Sequence, residues 1–379
     1  MAVSQLGERM CLFGLSWWVL VTTSSAAITG AVMAAFTAPL IVFGSLAGVL
    51  ADRVSRKTII VAADALRGLL MVIVWRLVAS GSLDTWHVLA VVACSSTLAA
   101  FFNPAGQAAI PQVAGRQQLT RANSFAEIAA QLSGLLGPAL GGLLYGVSGL
   151  GSLALVSGSA FLLSAFSETF IRLGPPAGSR AGGFAAQWTD GWRYVRSRPL
   201  VHHIVLVSCA IAFFSTPVLL ALQTMLRLVL GADAIQAGIL GSALAAGMLC
   251  GALLFGLKQE GRKYRVTLGA LLGAGVLVAA MALARSLPVL AGLVAAWGFA
   301  LAVGSVNARA LLQQSIPAEV MGRVFGLLLS VNMALGPLAY ALTGLAIDAT
   351  SAPLVLLVLA LGMTASVLFV PFIPGIRDH

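Results

Sequence analysis

The stretch Gly44-Ser-Leu-Ala-Gly48-Val-Leu-Ala-Asp52-Arg53-Val-Ser-Arg56-Lys57 leaves one long apolar segment, and the next begins at Thr58. A short loop rich in Arg and Lys between two spanning helices is rarely translocated, so this end of both helices is read as cytoplasmic. Gly44 and Gly48, four residues apart, form a small face that predicts the close approach of another helix. Asp52 is a carboxylate at the membrane edge amid Arg53, Arg56 and Lys57, and an ordinary loop needs neither this acid nor the glycine pair. The plain alternative is a solvated basic loop that only sets topology.

Composition agrees with a membrane chain. Of 379 residues, 59% are hydrophobic and 9% charged, whereas a soluble domain carries about a quarter charged residues. At ~20 residues per span the chain has room for about twelve helices joined by short loops. The net charge of +10 is explained by cations in alternate loops and by anionic lipid, which argues against nucleic acid as a partner. Cys11, Cys94, Cys209 and Cys250 all lie in apolar segments, so neither a disulfide framework nor a metal site is expected. The four histidines show no paired ligand spacing, and no phosphate-binding loop occurs. No cofactor is therefore expected, and a membrane-embedded enzyme or a non-transporting sensor is a remote alternative. The first apolar segment lacks a basic leader and carries Glu8 and Arg9, so it reads as an uncleaved first helix.

Apolar segments predict helices over about 3–22, 26–50, 58–79, 86–110, 123–145 and 150–171, then over about 201–227, 235–257, 266–284, 288–312, 323–347 and 353–372. Three parts follow: a six-helix bundle over 1–171, a connector over 172–200 and a second bundle over 201–379. Within the connector Phe184, Trp188, Trp192 and Val195 lie opposite Arg193, Arg196 and Arg198. That pattern describes a helix lying on the inner leaflet, or equally one packed on the ends of its neighbours. Cations crowd the loops assigned inside, whereas Arg76, Arg227 and Arg285 mark the outer ends. Both termini are therefore expected in the cytoplasm.

The two halves repeat. Gly44, Gly48, Leu50, Arg56 and Lys57 recur as Gly247, Gly251, Leu253, Arg262 and Lys263. Gln107, Ile110-Pro111, Gly115-Arg116 and Gly137-Pro138 recur in the same order as Gln313, Ile316-Pro317, Gly322-Arg323 and Gly336-Pro337. An ordered series of this kind means duplication into two pseudo-symmetric bundles. The second copy has lost its acid, since Lys258-Gln259-Glu260 stands where the first has Ala51-Asp52-Arg53.

Gly48, Leu50 to Arg53, Arg56 and Lys57 match motif A of the major facilitator superfamily, which the whole chain resembles, and the resemblance implies that Asp52 serves a gate between inward-open and outward-open states. In helix 5, Gly134, Gly137, Pro138, Gly141 and Gly142 resemble motif C, the antiporter signature. There the proline removes one backbone bond, and the glycines allow bending and close contact. Gln5-Leu6-Gly7-Glu8, Arg121-Ala-Asn-Ser and Gly191-Trp-Arg-Tyr-Val-Arg further resemble the bacterial efflux branch that includes macrolide exporters and the enterobactin exporter. The resemblance implies an all-α transporter with its substrate site near the midplane between two bundles. It also implies proton-coupled export of a lipophilic, drug-like or siderophore-like small molecule by alternating access, from a monomer in the bacterial inner membrane. Uptake of a nutrient by symport on the same fold is the alternative. Helix 4 contains no Arg, so the Arg-containing motif B of other drug/proton antiporters is absent.

A charge at the bilayer midplane costs ~2.5–3.5 kcal/mol on insertion scales, so intramembrane charges are functional candidates. Asp64 and Arg67 are three apart on one helix and are read as a structural pair. Glu8, beside Arg9 on a cavity-lining helix, is a candidate for proton uptake or for binding a cation; pairing with Arg9 or with another helix is the alternative. Glu127 and Glu168, near helix ends, are expected to snorkel. The expected substrate wall contains Asn103 and Gln107, then Phe213, Phe214, Ser215 and Thr216, then Trp297, Asn307, Arg309 and Gln313. Any of the polar members serves equally well as interhelical glue, worth ~0.6 kcal/mol. A wall with few fixed charges suits a bulky amphipathic solute.

Overall fold

The computed structural model describes residues 2–114, 118–171, 173, 192–193, 195–256, 263–316 and 318–370. Among these residues there are helices and no strands. They are α1 (Ala2–Thr23), α2 (Ala26–Arg53), α3 (Arg56–Ala79), α4 (Thr85–Ala114), α5 (Leu119–Glu168), α6 (Pro199–Ser215), α7 (Val218–Thr224), α8 (Ala234–Gly256), α9 (Lys263–Leu283), α10 (Leu287–Ser315), α11 (Ala318–Ala349) and α12 (Ala352–Leu368). A hydrocarbon core offers no water to a peptide group, so each segment satisfies its backbone within itself as a helix. Most of the proposed inner-leaflet helix of the connector falls outside the described residues.

Among the described residues, nine helices are long and apolar enough to cross a membrane. One of them, α5, makes two passes, because Gly149 at φ 77° breaks it into two limbs. A side chain is strained at that angle and glycine is not. α1 falls short on hydropathy because Gln5, Glu8 and Arg9 dilute it, and α12 falls short on length with 17 residues. With these two the described helices make the twelve passes expected. The seventh is not one straight helix as expected. Pro217 separates α6 from α7, and a π turn follows over Met225–Val229.

Helix ends are closed locally where the sequence allows it. At the start of α8 the Asp233 carboxylate accepts from Gln236 N–H at 2.8 Å, and the Gln236 side-chain oxygen accepts from Asp233 N–H at 3.0 Å. This reciprocal pair satisfies two of the donors that a helix N-terminus leaves free. Prolines inside helices are handled by partners. Pro39 and Pro138 interrupt α2 and α5, and in each case the carbonyl three residues earlier receives a hydroxyl from a neighbouring helix. Ser96 of α4 donates to the Phe36 carbonyl, and Ser242 of α8 donates to the Leu135 carbonyl. A membrane helix tolerates proline when a neighbour supplies such a bond.

The chain forms two compact units, one of Met1–Ala181 with Ala232–Ser242, the other of Gly182–Gly231 with Ala243–His379. In the first unit α1 lies along both limbs of α5. A Cβ at Gly137 would overlap the Arg9 side chain, one at Gly141 would sit 3.0 Å from the Met10 carbonyl, and one at Gly14 would meet Leu153 at 2.6 Å. On another face of α5, Gly142 meets the Ala234 carbonyl and the Gly238 Cα of α8. Leu15, Val19, Val74, Val88 and Leu153 fill the interior. Leu66, Leu69, Ile73, Leu162, Leu163 and Phe166 stay exposed, as lipid contact allows. Lipid tails are as apolar as leucine, so shape fit and backbone approach drive the association of these helices.

In the second unit α9 packs on α10 and α12, and α6 packs on α11 and α12. α8 meets α10 along a seam of small residues, where Gly247 faces the Ala295 carbonyl and Gly251 the Phe299 carbonyl. The matching position in the first repeat behaves differently. A Cβ at Gly44 would meet nothing within 4 Å, so the close approach expected there is not made at Gly44. Gly134 is likewise open.

These contacts predict opposite effects for the same substitution. Gly142→Ala overpacks the α5–α8 seam and is expected to cost about 1–3 kcal/mol. Gly134→Ala is expected to be neutral or to stabilise by up to ~1 kcal/mol. Thermal unfolding of the purified variants in detergent measures both.

Candidate functional site

The first unit holds a cluster of charges around the Arg67 guanidinium, which is 2% exposed. Nη1 lies 3.4 Å from Asp64 Oδ1, one helical turn earlier on α3. Nη2 lies 3.9 Å from Glu8 Oε1 on α1, and Nε donates to the Ser95 carbonyl of α4 at 3.3 Å. The flat faces of the ion lie against aromatic rings. Its central carbon is 5.2 Å from the Phe102 centroid on α4 and 5.6 Å from that of Phe161 on α5. An arginine can be held so because its charge is delocalised over a weakly hydrated plane that both stacks and forks. The expected structural pair of Asp64 and Arg67 is present. Glu8 pairs with another helix rather than with Arg9, which is exposed and whose Cβ abuts Gly137 of α5.

The two acids differ in access. Asp64 is fully buried, whereas the Glu8 side chain is 21% exposed and borders a small cavity of about 10 Å³ with Cys11, Phe36, Met71 and Ser95. That volume approaches what a single water needs. At 3.9 Å and an effective dielectric near 20, the Glu8–Arg67 attraction is about 4 kcal/mol before desolvation.

Glu168 corrects an expectation. It does not snorkel: it is 2% exposed, its Oε1 accepts from Ser164 Oγ at 3.1 Å, and it is coupled electrostatically to Asp64. The signal was available in the spacing, since Ser157, Phe161, Ser164 and Glu168 form one helical stripe, and all four are buried. Glu127 is exposed as expected and accepts from Gln131 at 2.9 Å.

The other candidate residues are dispersed. Arg56 of motif A donates from Nη1 to the Ala108 carbonyl at 3.3 Å, tying the start of α3 to the end of α4, and Lys57 is half-buried beside it. The side chains of Gly48, Asp52, Arg53, Arg309 and Gln313 lie outside the described residues. Asn103 and Gln107 share an exposed face of α4. Asn307 donates to the Val303 carbonyl of its own helix at 2.9 Å. Trp297 is 2% exposed, so it is core rather than an open wall. Phe214 lies against Gly362 of α12, with Phe213 edge-on to it at 5.3 Å. Phe214 thus fills a helix contact. Ser215 does border a cavity, inside the second unit; Thr216, the helix-capping residue after α6, is half-buried.

The cluster predicts a non-additive stability response. Arg67→Met alone leaves buried carboxylates without their cation and is expected to cost about 3–5 kcal/mol. Adding Asp64→Asn and Glu8→Gln is expected to recover at least half of that loss in thermal unfolding.

The family model described as Major Facilitator Superfamily matches residues 1–341. The multidrug efflux pump Tap of Mycolicibacterium fortuitum is 28% identical over 98% of this chain and 93% of its own length. Macrolide efflux protein A of Streptococcus pyogenes is 25% identical over 92% of this chain and 87% of its own. Among solved structures, the nucleoside transporter NupG superposes with a TM-score of 0.77 at 14% identity, covering 97% of this chain and 96% of its own. A bacterial homologue of the lysosomal transporter Spinster, inward-facing and occupied, reaches 0.72 at 16% identity, covering 98% and 92%. These likenesses at low identity carry the fold, and the family match carries membership. With its twelve-pass helical architecture and a family model spanning most of its length, the chain belongs to the Major Facilitator Superfamily, as a membrane-embedded transporter rather than an enzyme.

Proposed function

We propose that the protein exports lipophilic, drug-like small molecules in exchange for protons, by alternating access between its two bundles. We place it in the bacterial inner membrane with both termini in the cytoplasm, as the distribution of cations supports. The observation that carries the proton-linked part is the unequal access of the two acids that share Arg67. Asp64 keeps the guanidinium neutralised at all times. Glu8, reachable and more loosely paired, takes up a proton and releases its side of the pair, so the tie between α1 and α3 is made or broken by protonation. Export rather than uptake is supported by the curated relatives, which are named efflux pumps, and by the glycine-proline seam of α5. A siderophore-like solute lies within the same substrate class.

The energetics are adequate. One proton crossing 100 mV releases ~2.3 kcal/mol, and each 1.4 kcal/mol is a factor of ten. A one-for-one exchange with an uncharged solute therefore sustains a gradient of about fifty-fold.

Inside-out proteoliposomes loaded at low pH and given a radiolabelled macrolide outside test this reading. The acidic lumen is expected to drive accumulation, and Glu8→Gln to reduce the pH-driven component at least tenfold. Accumulation that ignores the imposed gradient, or concentrative uptake into intact cells, overturns the proposal.

A further inference from the structure

The second unit holds a cavity of about 320 Å³ lined by residues of α6, α8, α9 and α10 and by Val370. Among the described residues that line it, none carries a charge. Most of the wall is aliphatic, including Ile204, Val207, Ile211, Leu268 and Leu271, and its polar members are the hydroxyls of Ser208, Ser215, Thr267 and Ser305. The volume lies at the lower end of the range of small-molecule pockets, about 300–1,000 Å³.

Two of the hydroxyls are already committed as donors. Ser215 Oγ donates to the Ala212 carbonyl at 3.4 Å, and Ser305 Oγ donates to the Ala302 carbonyl at 3.1 Å, each within its own helix. Their oxygens therefore offer lone pairs to the cavity, which suits a ligand that brings an O–H or N–H donor. A charged ligand would lose its hydration with no counter-charge on the wall, a cost of several kcal/mol.

The position narrows the source. Thr267 and Leu271 lie in the first turns of α9 and Ser208 midway along α6, while Ser305 and Ala308 lie in the C-terminal part of α10. At 1.5 Å per residue these positions sit about 5–15 Å from one end of the unit. That end is the one assigned to the cytoplasm by the cation count. Ser215 and Leu301 lie about 20–24 Å from the same end, so the cavity runs from the depth of inner-leaflet acyl chains to beyond the bilayer midplane.

We infer that this cavity is a binding site, within the second unit alone, for an uncharged and largely apolar molecule carrying a hydrogen-bond donor. Such chemistry comes from two sources: a lipophilic solute partitioned into the inner leaflet, or a membrane lipid that inserts part of its chain. The site needs neither a proton gradient nor Glu8, so its test is independent of the export reading.

The probe is N-phenyl-1-naphthylamine, an uncharged fluorophore with one N–H donor, titrated against the full-length protein in detergent. Saturable binding is expected. Ser208→Phe and Ala308→Phe, which fill the cavity from two helices, are each expected to weaken it at least tenfold. Native mass spectrometry of the same preparations separates the sources. Phospholipid carried by the wild type and lost in both variants identifies a lipid; loss of probe binding alone identifies a free solute. If the bulky side chains block folding, Ser208→Cys decides, because bound probe should protect it from an uncharged maleimide, read by peptide mass spectrometry. Unchanged probe affinity and lipid content in both folded variants, or no protection of Ser208→Cys, overturns the inference.

Discussion

Arg67 is the residue around which the first bundle is arranged, because a guanidinium in a dry interior must be neutralised and hydrogen-bonded at once. A carboxylate from α3 and another from α1, a carbonyl and a ring from α4, and a ring from α5 answer that demand in part, with Nη2 left at ion-pair rather than hydrogen-bond distance from Glu8. Four helices are thereby held in one register. Apolar packing between them carries no such information, since a leucine facing lipid and a leucine facing a neighbouring helix have nearly the same free energy.

Where charge does not fix the register, glycine does. α5 is pressed between α1, at Gly137 and Gly141, and the first turns of α8, at Gly142. The Pro138 break in that same helix is relieved by the Ser242 hydroxyl. The antiporter-like motif is therefore a contact surface as well as a bend. In the second unit the corresponding work falls to Gly247 and Gly251 against α10. The duplicated halves have thus diverged in how they use the same small residues. The first keeps Gly44 open and carries the buried charges. The second closes its glycine seam and holds a cavity whose described lining residues are uncharged.

Much of this was legible in the sequence. Apolar runs of about twenty residues, cations in alternate loops and an ordered internal repeat are one-dimensional signals, and the twelve passes followed from the first of them, whereas the family was carried by the resemblance of the motifs around Asp52 and Pro138 to its signatures. The Asp64–Arg67 pair was legible too, because a spacing of three on a helix is a local distance. Glu168 was misplaced because its nearness to a helix end was weighed above the buried stripe it shares with Ser164 and Phe161. Phe214 and Trp297 were assigned to an open wall because an aromatic side chain in an apolar segment looks alike whether it lines a cavity or fills a helix contact.

By itself, the sequence determined that the chain spans a membrane, how its helices alternate across it and which superfamily signatures it carries. The first two depend on composition and periodicity along the chain, and the third on the resemblance of short motifs to the family's own. Only the tertiary structure decided that Glu8 rather than Arg9 faces Arg67, that Glu168 is sealed inside, and which glycines meet a neighbouring backbone. Helical periodicity reports which residues share a face. It says nothing of what lies opposite that face, because in a bilayer both lipid and protein present the same apolar chemistry to it.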